Sequence, residues 1–169
     1  LTHALTQALA AQPEAPRAHA ITMTGELCDL FCDRAAGVAG IVQTVTAALA
    51  PLVPTVYACD HGLVMNAAPA AVASMNWHAM ARALAARVPD ALLIDIGSTT
   101  TDIIPIAGGE IRTRGLDDRS RLAADELVYQ GVARTPVMAL ASRVPYRGVW
   151  QGMAAESFAT TADVFRLLD

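Results

Sequence analysis

The chain contains no lysine: all 12 of its cations are arginines, set against 16 acids for a net charge of −4. Without a Gly-Lys-Ser/Thr sequence there is no P-loop of the Walker type. No arginine cluster suggests nucleic acid, and the mild acidity gives no attraction to a membrane surface. Aromatic residues are scarce, at 5%. The three cysteines are an odd set without a framework, which excludes a disulfide-stapled secreted scaffold. No apolar run reaches the roughly 18 residues that a membrane helix needs. The first residues lack the basic start of a signal peptide. A cytoplasmic protein is the expectation. The first residue is Leu1 rather than methionine, which suggests a piece of a longer protein.

What is present is a hydrophobic fraction of 54%, much of it alanine, in 169 residues. That is enough for one domain with a core of closely packed helices and strands, so the fold class read from composition and element order is α/β. Cys28 and Cys32 stand four apart, on one face if that segment is helical. Free cysteine is among the most buried residue types, so two buried thiols are expected there rather than a metal pair, and Cys59 is expected in the core.

The chain is organised around residues 91–114. Ala91–Ile96 is an apolar run of strand length, stopped by Gly97. Four hydroxyl residues follow, Ser98, Thr99, Thr100 and Thr101, and then Asp102 opens a second apolar run. Gly108-Gly109 reads as a turn and Glu110–Arg114 as a returning strand. This pattern predicts three antiparallel strands with the hydroxyl loop at one end. Gly97 lets backbone approach a ligand, and the hydroxyls and N–H groups are donors of the kind that cluster around anions. Asp95 and Asp102 flank the loop. Two carboxylates beside a phosphate call for a cation between them, and Mg²⁺ suits one or two carboxylates plus phosphate oxygens. Asp95 and Asp102 are the candidate metal ligands, and Gly97, Ser98, Thr99, Thr100 and Thr101 the candidate phosphate cradle. The competing reading is a threonine-rich hairpin whose hydroxyls satisfy its own backbone.

Periodicity predicts a helix over 1–11, a strand at 18–23, and a helix capped by Thr24 with Leu27, Leu30 and Phe31 inward. Gly37 and Gly40 should interrupt before a further helix ending at Pro51. A strand at 53–58, a turn at Asp60-His61-Gly62 and a short arm at 63–65 follow. Helices are predicted over about 69–87, 119–129 and 153–168, an extended stretch over 132–137, and weaker strands at 137–141 and 149–150. The break at 12–17 is the one candidate boundary. Arg134 and Arg147 could neutralise a diphosphate, although arginines of this kind are more often plain surface. Glu156 is explained as well by capping and neighbouring contacts as by a site.

Asp-Ile-Gly-Ser-Thr-Thr-Thr-Asp-Ile at 95–103 resembles the internal phosphate motif of the hydantoinase A/oxoprolinase family. The stretches Met23–Leu27, Asn76–Ala79, Glu126–Val132, Arg134–Val137 and Glu156–Val164 follow the order found in one branch of it. That branch is linked to tetrahydromethanopterin-dependent one-carbon transfer, with methanofuran-biosynthesis synthases among its archaeal members. Such a synthase joins an aminomethylfuran-methyl diphosphate to γ-glutamyltyramine and releases diphosphate. The resemblance implies an actin-like ATPase fold of the sugar kinase and heat-shock chaperone type, here incomplete, with the phosphate-binding hairpin at 91–114. It implies that 1–90 is the end of a first lobe with connecting helices and 91–169 the start of a second. The family's other glycine-rich loop, of the Asp-x-Gly-Gly kind, is missing from these residues. The chain is therefore expected to be a middle segment, inactive by itself.

The same resemblance implies catalytic roles for Asp95 and Glu126 and substrate contacts for Glu26, Asn76, His78 and Thr135. Read alone, Glu126 would be a solvated helix residue and His78 a hydrogen-bonded structural one. The implied cofactor is Mg²⁺, with ATP as an alternative ligand, and the implied partner a small phosphate or diphosphate compound rather than nucleic acid or membrane. Three functions are carried forward. The first is a transferase of one-carbon cofactor biosynthesis. The second is an ATP-dependent hydrolase or kinase, and the third a non-enzymatic, nucleotide-gated scaffold.

Overall fold

A computed structural model describes residues 1–11, 18–59 and 61–168. The chain divides into two compact units, Leu1–Leu84 and Ala85–Asp169. Both mix helices and strands, as the α/β reading requires.

The first unit begins with α1 (Thr2–Ala10), whose Leu5 and Leu9 pack on the core. The residues after it, with Pro13 and Pro16, lie outside the described set. Strands β1 (Ala20–Ile21) and β2 (Thr55–Ala58) run parallel, joined by α2 (Arg34–Leu49) in a βαβ unit. Strand β3 (Gly62–Val64) returns antiparallel to β2, with Gly62 at φ 67° in the turn. Asp60 of that predicted turn lies outside the described residues. The core gathers Ile21, Met23, Val38, Val45, Leu49, Val56, Ala58, Val72 and Ala73.

The expected helix at Thr24 does not form. Residues 24–33 are turns and bends, and Leu27 and Leu30 are exposed. The helix starts instead at Arg34, where the Asp33 carboxylate accepts the Ala36 N–H at 2.8 Å. Gly37 and Gly40 do not interrupt it; they lie within it. A Cβ on Gly37 would stand 2.0 Å from the Glu26 carbonyl oxygen, and one on Gly40 2.7 Å from the Phe31 ring. The glycines therefore serve close approach of the 25–31 segment to the helix. Gly37→Ala is expected to cost at least about 1–3 kcal/mol, the usual range for overpacking, measured by urea unfolding. Cys28 and Cys32 are correspondingly exposed rather than buried, and Cys59 is half-buried.

The helix expected over 69–87 is two, α3 (Pro69–Val72) and α4 (Asn76–Ala85). They are separated at Ser74, which has φ 54°. The break rotates the second half, so Trp77, His78, Ala81 and Ala85 are buried while Met80 is exposed. No helix among the described residues is long and apolar enough to cross a membrane.

The second unit is built on β4 (Ala91–Ile96), β5 (Thr101–Ala107) and β6 (Glu110–Ile111), antiparallel in that order. The hairpin expected from the sequence is present, and Gly108 and Gly109, at φ 62° and 75°, make its second turn. A fourth strand, β7 (Leu127–Val128), pairs with the start of β5. Pro105 falls between the β7 and β6 pairings of β5, where no N–H is asked for. Strand β4 is half-buried on one side, at Ala91, Leu93 and Asp95, while Leu92, Ile94 and Ile96 on the other are more than half exposed.

Helix α5 (Asp118–Ala123) is shorter than the predicted 119–129. Asp117 and Ser120 form a capping box at its start. Asp125, at φ 57°, turns the chain into β7, and Leu122, expected inside, is exposed. The strand expected at 137–141 is a single 3₁₀ turn, Val137–Ala139. Strands β8 (Arg143–Tyr146) and β9 (Val149–Gly152) form a hairpin. The last helix, α6 (Thr161–Leu168), starts well after 153, because the Pro136–Thr160 bridge and the Val137 N–H to Ala159 carbonyl bond hold its predicted first half extended. Glu156 and Phe158 lie before it, exposed.

Candidate functional site

The β4–β5 register sets Asp95 directly opposite Asp102 and Ile96 opposite Thr101. Directly paired residues share one face of a sheet, with Cβ atoms about 5 Å apart. The two carboxylates are thus neighbours at the base of the 97–100 loop. That loop is closed by the Gly97 N–H, which donates to the Thr100 carbonyl at 2.8 Å.

The two acids differ. Asp102 is buried, and its Oδ1 accepts from the Arg121 guanidinium at 2.5 Å. Arg121 is itself buried and also donates to the Glu126 carbonyl at 2.9 Å. Burial pushes the Asp102 carboxyl above its ordinary range; Arg121 opposes this, while Asp95 and Asp118 add to it. Asp95 is half-buried and makes no hydrogen bond or ion pair among the described residues. Of the two proposed metal ligands, Asp102 is partly engaged by an internal cation and Asp95 is open.

The Gly97, Ser98 and Thr100 carbonyls are occupied. Gly97 O accepts from Val132 N–H at 3.0 Å, and Ser98 O accepts from Ala133 and Arg134 N–H at 3.1 and 2.8 Å. The amides of Ser98, Thr99 and Thr100 have no partner among the described residues. The Ser98 and Thr99 hydroxyls meet only each other, at 3.4 Å. Thr101, expected in the cradle, instead donates its hydroxyl to the Gln130 carbonyl at 2.7 Å. It anchors the loop base.

Glu126 does not lie on a helix. Its oxygens accept the backbone N–H groups of Arg114 at 2.7 Å and Gly115 at 3.2 Å, and it is buried. A carboxylate committed in this way organises the 114–126 turn and is poorly disposed to act as a base. Thr135, expected to touch substrate, is also buried. Its oxygen accepts the Gly131 N–H at 2.8 Å.

The remaining candidates belong to the first unit. Glu26 is buried, and its Oε1 accepts from the Ser74 hydroxyl at 2.5 Å, while its Oε2 has no hydrogen-bond partner among the described residues. His78 Nδ1 lies 2.7 Å from the Tyr57 hydroxyl, beneath the edge of Trp77. Burial raises the Tyr57 pKa. Asn76 starts α4 and is half-buried. Sequence reasoning missed Arg121, Ser74 and Gly131. Only the glycine left a signal, as part of the 126–132 stretch that carries the resemblance.

Among the described residues no group of three or more His, Cys, Asp or Glu side chains is placed to hold a metal by itself. The donor set does fit a magnesium ion that takes one or two carboxylates and draws its other ligands from phosphate and water.

The site is thus an antiparallel hairpin with a hydroxyl-rich loop and paired aspartates at its base, in an α/β chain. The chain belongs to the hydantoinase/oxoprolinase family, whose model matches residues 17–168. A protein of Methanocaldococcus jannaschii named (4-{4-[2-(gamma-L-glutamylamino)ethyl]phenoxymethyl}furan-2-yl)methanamine synthase is 37% identical over 158 residues, covering 89% of this chain and 46% of that protein. A protein of the same name from Methanococcus vannielii is 40% identical over 78 residues, covering 46% of this chain and 35% of its own length. The chain thus spans less than half the length of these curated relatives.

Proposed function

We propose that the Gly97–Thr100 loop holds the diphosphate of an activated furan substrate, and that the full-length protein is a transferase of methanofuran-type cofactor biosynthesis. The observation that carries this is the run of three unpartnered amides, Ser98 to Thr100, with hydroxyls beside them and an open Asp95 below. The relatives' name describes a furan joined to a phenol through an oxymethyl bridge. Forming that ether by displacement makes a phenol oxygen–CH₂ bond and breaks the CH₂–O bond to diphosphate, which departs with the bonding electrons. The phenol proton passes to a base or to water.

In this reading the amides of Ser98, Thr99 and Thr100 and their hydroxyls meet the charge that develops on the leaving oxygens. Asp95, with Asp102 steadied by Arg121 beside it, would hold Mg²⁺ directly or through its waters. Bound there, the ion would supply charge neutralisation of the leaving group. Glu126 and Thr135 hold the backbone around the loop. Glu26, Asn76 and His78 are carried as substrate contacts of the first unit. The wider fold is proposed as actin-like, with 1–90 ending one lobe and 91–169 opening the next, in a cytoplasmic protein whose ligand is a small phosphate or diphosphate compound.

The full-length protein should bind pyrophosphate with Mg²⁺ by titration calorimetry, and should release pyrophosphate from a furylmethyl diphosphate and a phenol in the absence of ATP. Dependence of turnover on ATP would favour the hydrolase or kinase alternative. Nucleotide binding with no turnover of either kind would favour a gated scaffold.

A further inference from the structure

The hydroxyl loop does not stand on its own hairpin alone. Its inner side rests on the 131–134 segment, whose amides take the Gly97 and Ser98 carbonyls. Contact is so close at Gly131 that a Cβ there would lie 2.5 Å from Ser98 C and Thr99 N and 2.6 Å from Gly97 O. Gly131 is in turn held at both ends. Its N–H donates to Thr135 Oγ1 at 2.8 Å, and its carbonyl accepts the Thr161 hydroxyl at 2.9 Å. Thr161 opens α6, and its own N–H donates to the Thr135 carbonyl at 2.9 Å; Ala162 N–H reaches Ala133 O at 3.2 Å. Both threonines are buried.

We propose that Thr161, together with Thr135, is a positioning residue for the anion loop, acting through Gly131. The proposal rests on the phosphate reading of that loop. The physical logic is preorganisation. Three amides can converge on one anion only if the loop backbone is held still, and among the described residues no side chain of 97–100 does this, Thr101 anchoring only the base. The carbonyl bonds to Val132, Ala133 and Arg134 tie it down from behind, and the two threonine hydroxyls lock the segment that makes those bonds. The start of α6 is therefore mechanically linked to a loop far from it in sequence, without touching the anion.

The test uses the full-length protein as wild type, Thr161→Val, Thr161→Ser and Gly131→Ala. The probe is magnesium pyrophosphate, read by calorimetry and by residue-resolved amide hydrogen exchange. Thr161→Val should weaken pyrophosphate binding roughly tenfold. Without any probe it should also lower protection at Val132, Ala133 and Arg134, while the β8–β9 amides stay as they were. Thr161→Ser, which keeps the hydroxyl, should restore both to near wild type, and Gly131→Ala should weaken binding at least as much as Thr161→Val. In the wild type, pyrophosphate should raise protection at Val132–Arg134 and at Thr161 as well as at the loop, which needs no variant to fold. Wild-type affinity and protection in Thr161→Val, or pyrophosphate protection confined to 98–100, would overturn the proposal. A flat titration of the wild type would instead overturn the phosphate reading, and the clamp is then judged on the probe-free exchange alone.

Discussion

Asp95→Asn is expected to weaken magnesium-dependent pyrophosphate binding about 10- to 140-fold, the equivalent of one charge-assisted contact of roughly 1.5–3 kcal/mol. The fold should be unaffected, because Asp95 is half-buried and its side chain has no partner to lose among the described residues. Asp102→Asn makes the informative contrast. It strips a buried arginine of its counter-ion, so it should lower stability as well as affinity. Calorimetric titration of both variants, with thermal unfolding alongside, separates the two roles. Unchanged affinity in Asp95→Asn would remove that residue from the site.

Arg121→Met should cost about 3–5 kcal/mol in urea unfolding at pH 7, the usual consequence of leaving one half of a buried ion pair behind. Its side chain is 2% exposed and bridges Asp102 on β5 to the carbonyl before β7, so its loss would unpin the sheet that carries the loop. The effect should depend on pH with a definite sign. Burial already raises the Asp102 pKa in the folded chain, and Arg121 is what opposes that rise. A carboxyl raised on folding contributes stability that is present below its unfolded pKa and lost as pH climbs through the folded one. Without Arg121 that folded value moves further up. Arg121→Met should therefore regain stability relative to wild type as the pH is lowered from about 7 toward 5. The double variant Asp102→Asn/Arg121→Met should show neither the full loss nor the recovery. A pH-independent difference would mean that Asp102 keeps the same protonation state in the variant as in wild type across that range.

The hairpin was legible in the sequence because everything that makes it is local. Two apolar runs, one glycine before the hydroxyls and two after them set strand, loop, strand and turn, and the register follows. Helix limits were legible only where nothing distant intervened. At Ser74 the hydroxyl reaches a carboxylate from residue 26, and the helix breaks there despite unbroken periodicity. At Asp125 the chain turns because Arg121 and β5 draw residues 126–128 into the sheet. At 159–160 pairing with 136–137 outweighs helical spacing. The candidate site was half legible for the same reason. Asp95, Gly97 and the hydroxyls announce themselves by spacing, whereas the partner of Asp102 and the support behind the loop come from segments with no marker beyond a single glycine. Glu126 and Thr135, singled out by resemblance, take backbone partners in the structure: Arg114 and Gly115 for the first, Gly131 for the second.

The loop's place between two adjacent strands also bears on the order in which the molecule assembles. Strands β4 and β5 are joined by four residues, Gly97 to Thr100, so their pairing closes almost no chain, and hairpins of this kind form in about 1–10 μs. The parallel pairing of β1 with β2 must wait until Ile21 meets Val56 across the whole of α2, and the support behind the loop until Thr161 reaches Gly131. Distant closures of that sort come late, since their entropy is spent before any contact rewards it. The 97–100 loop is then outlined early as a hairpin tip and acquires its supported shape only when α6 arrives.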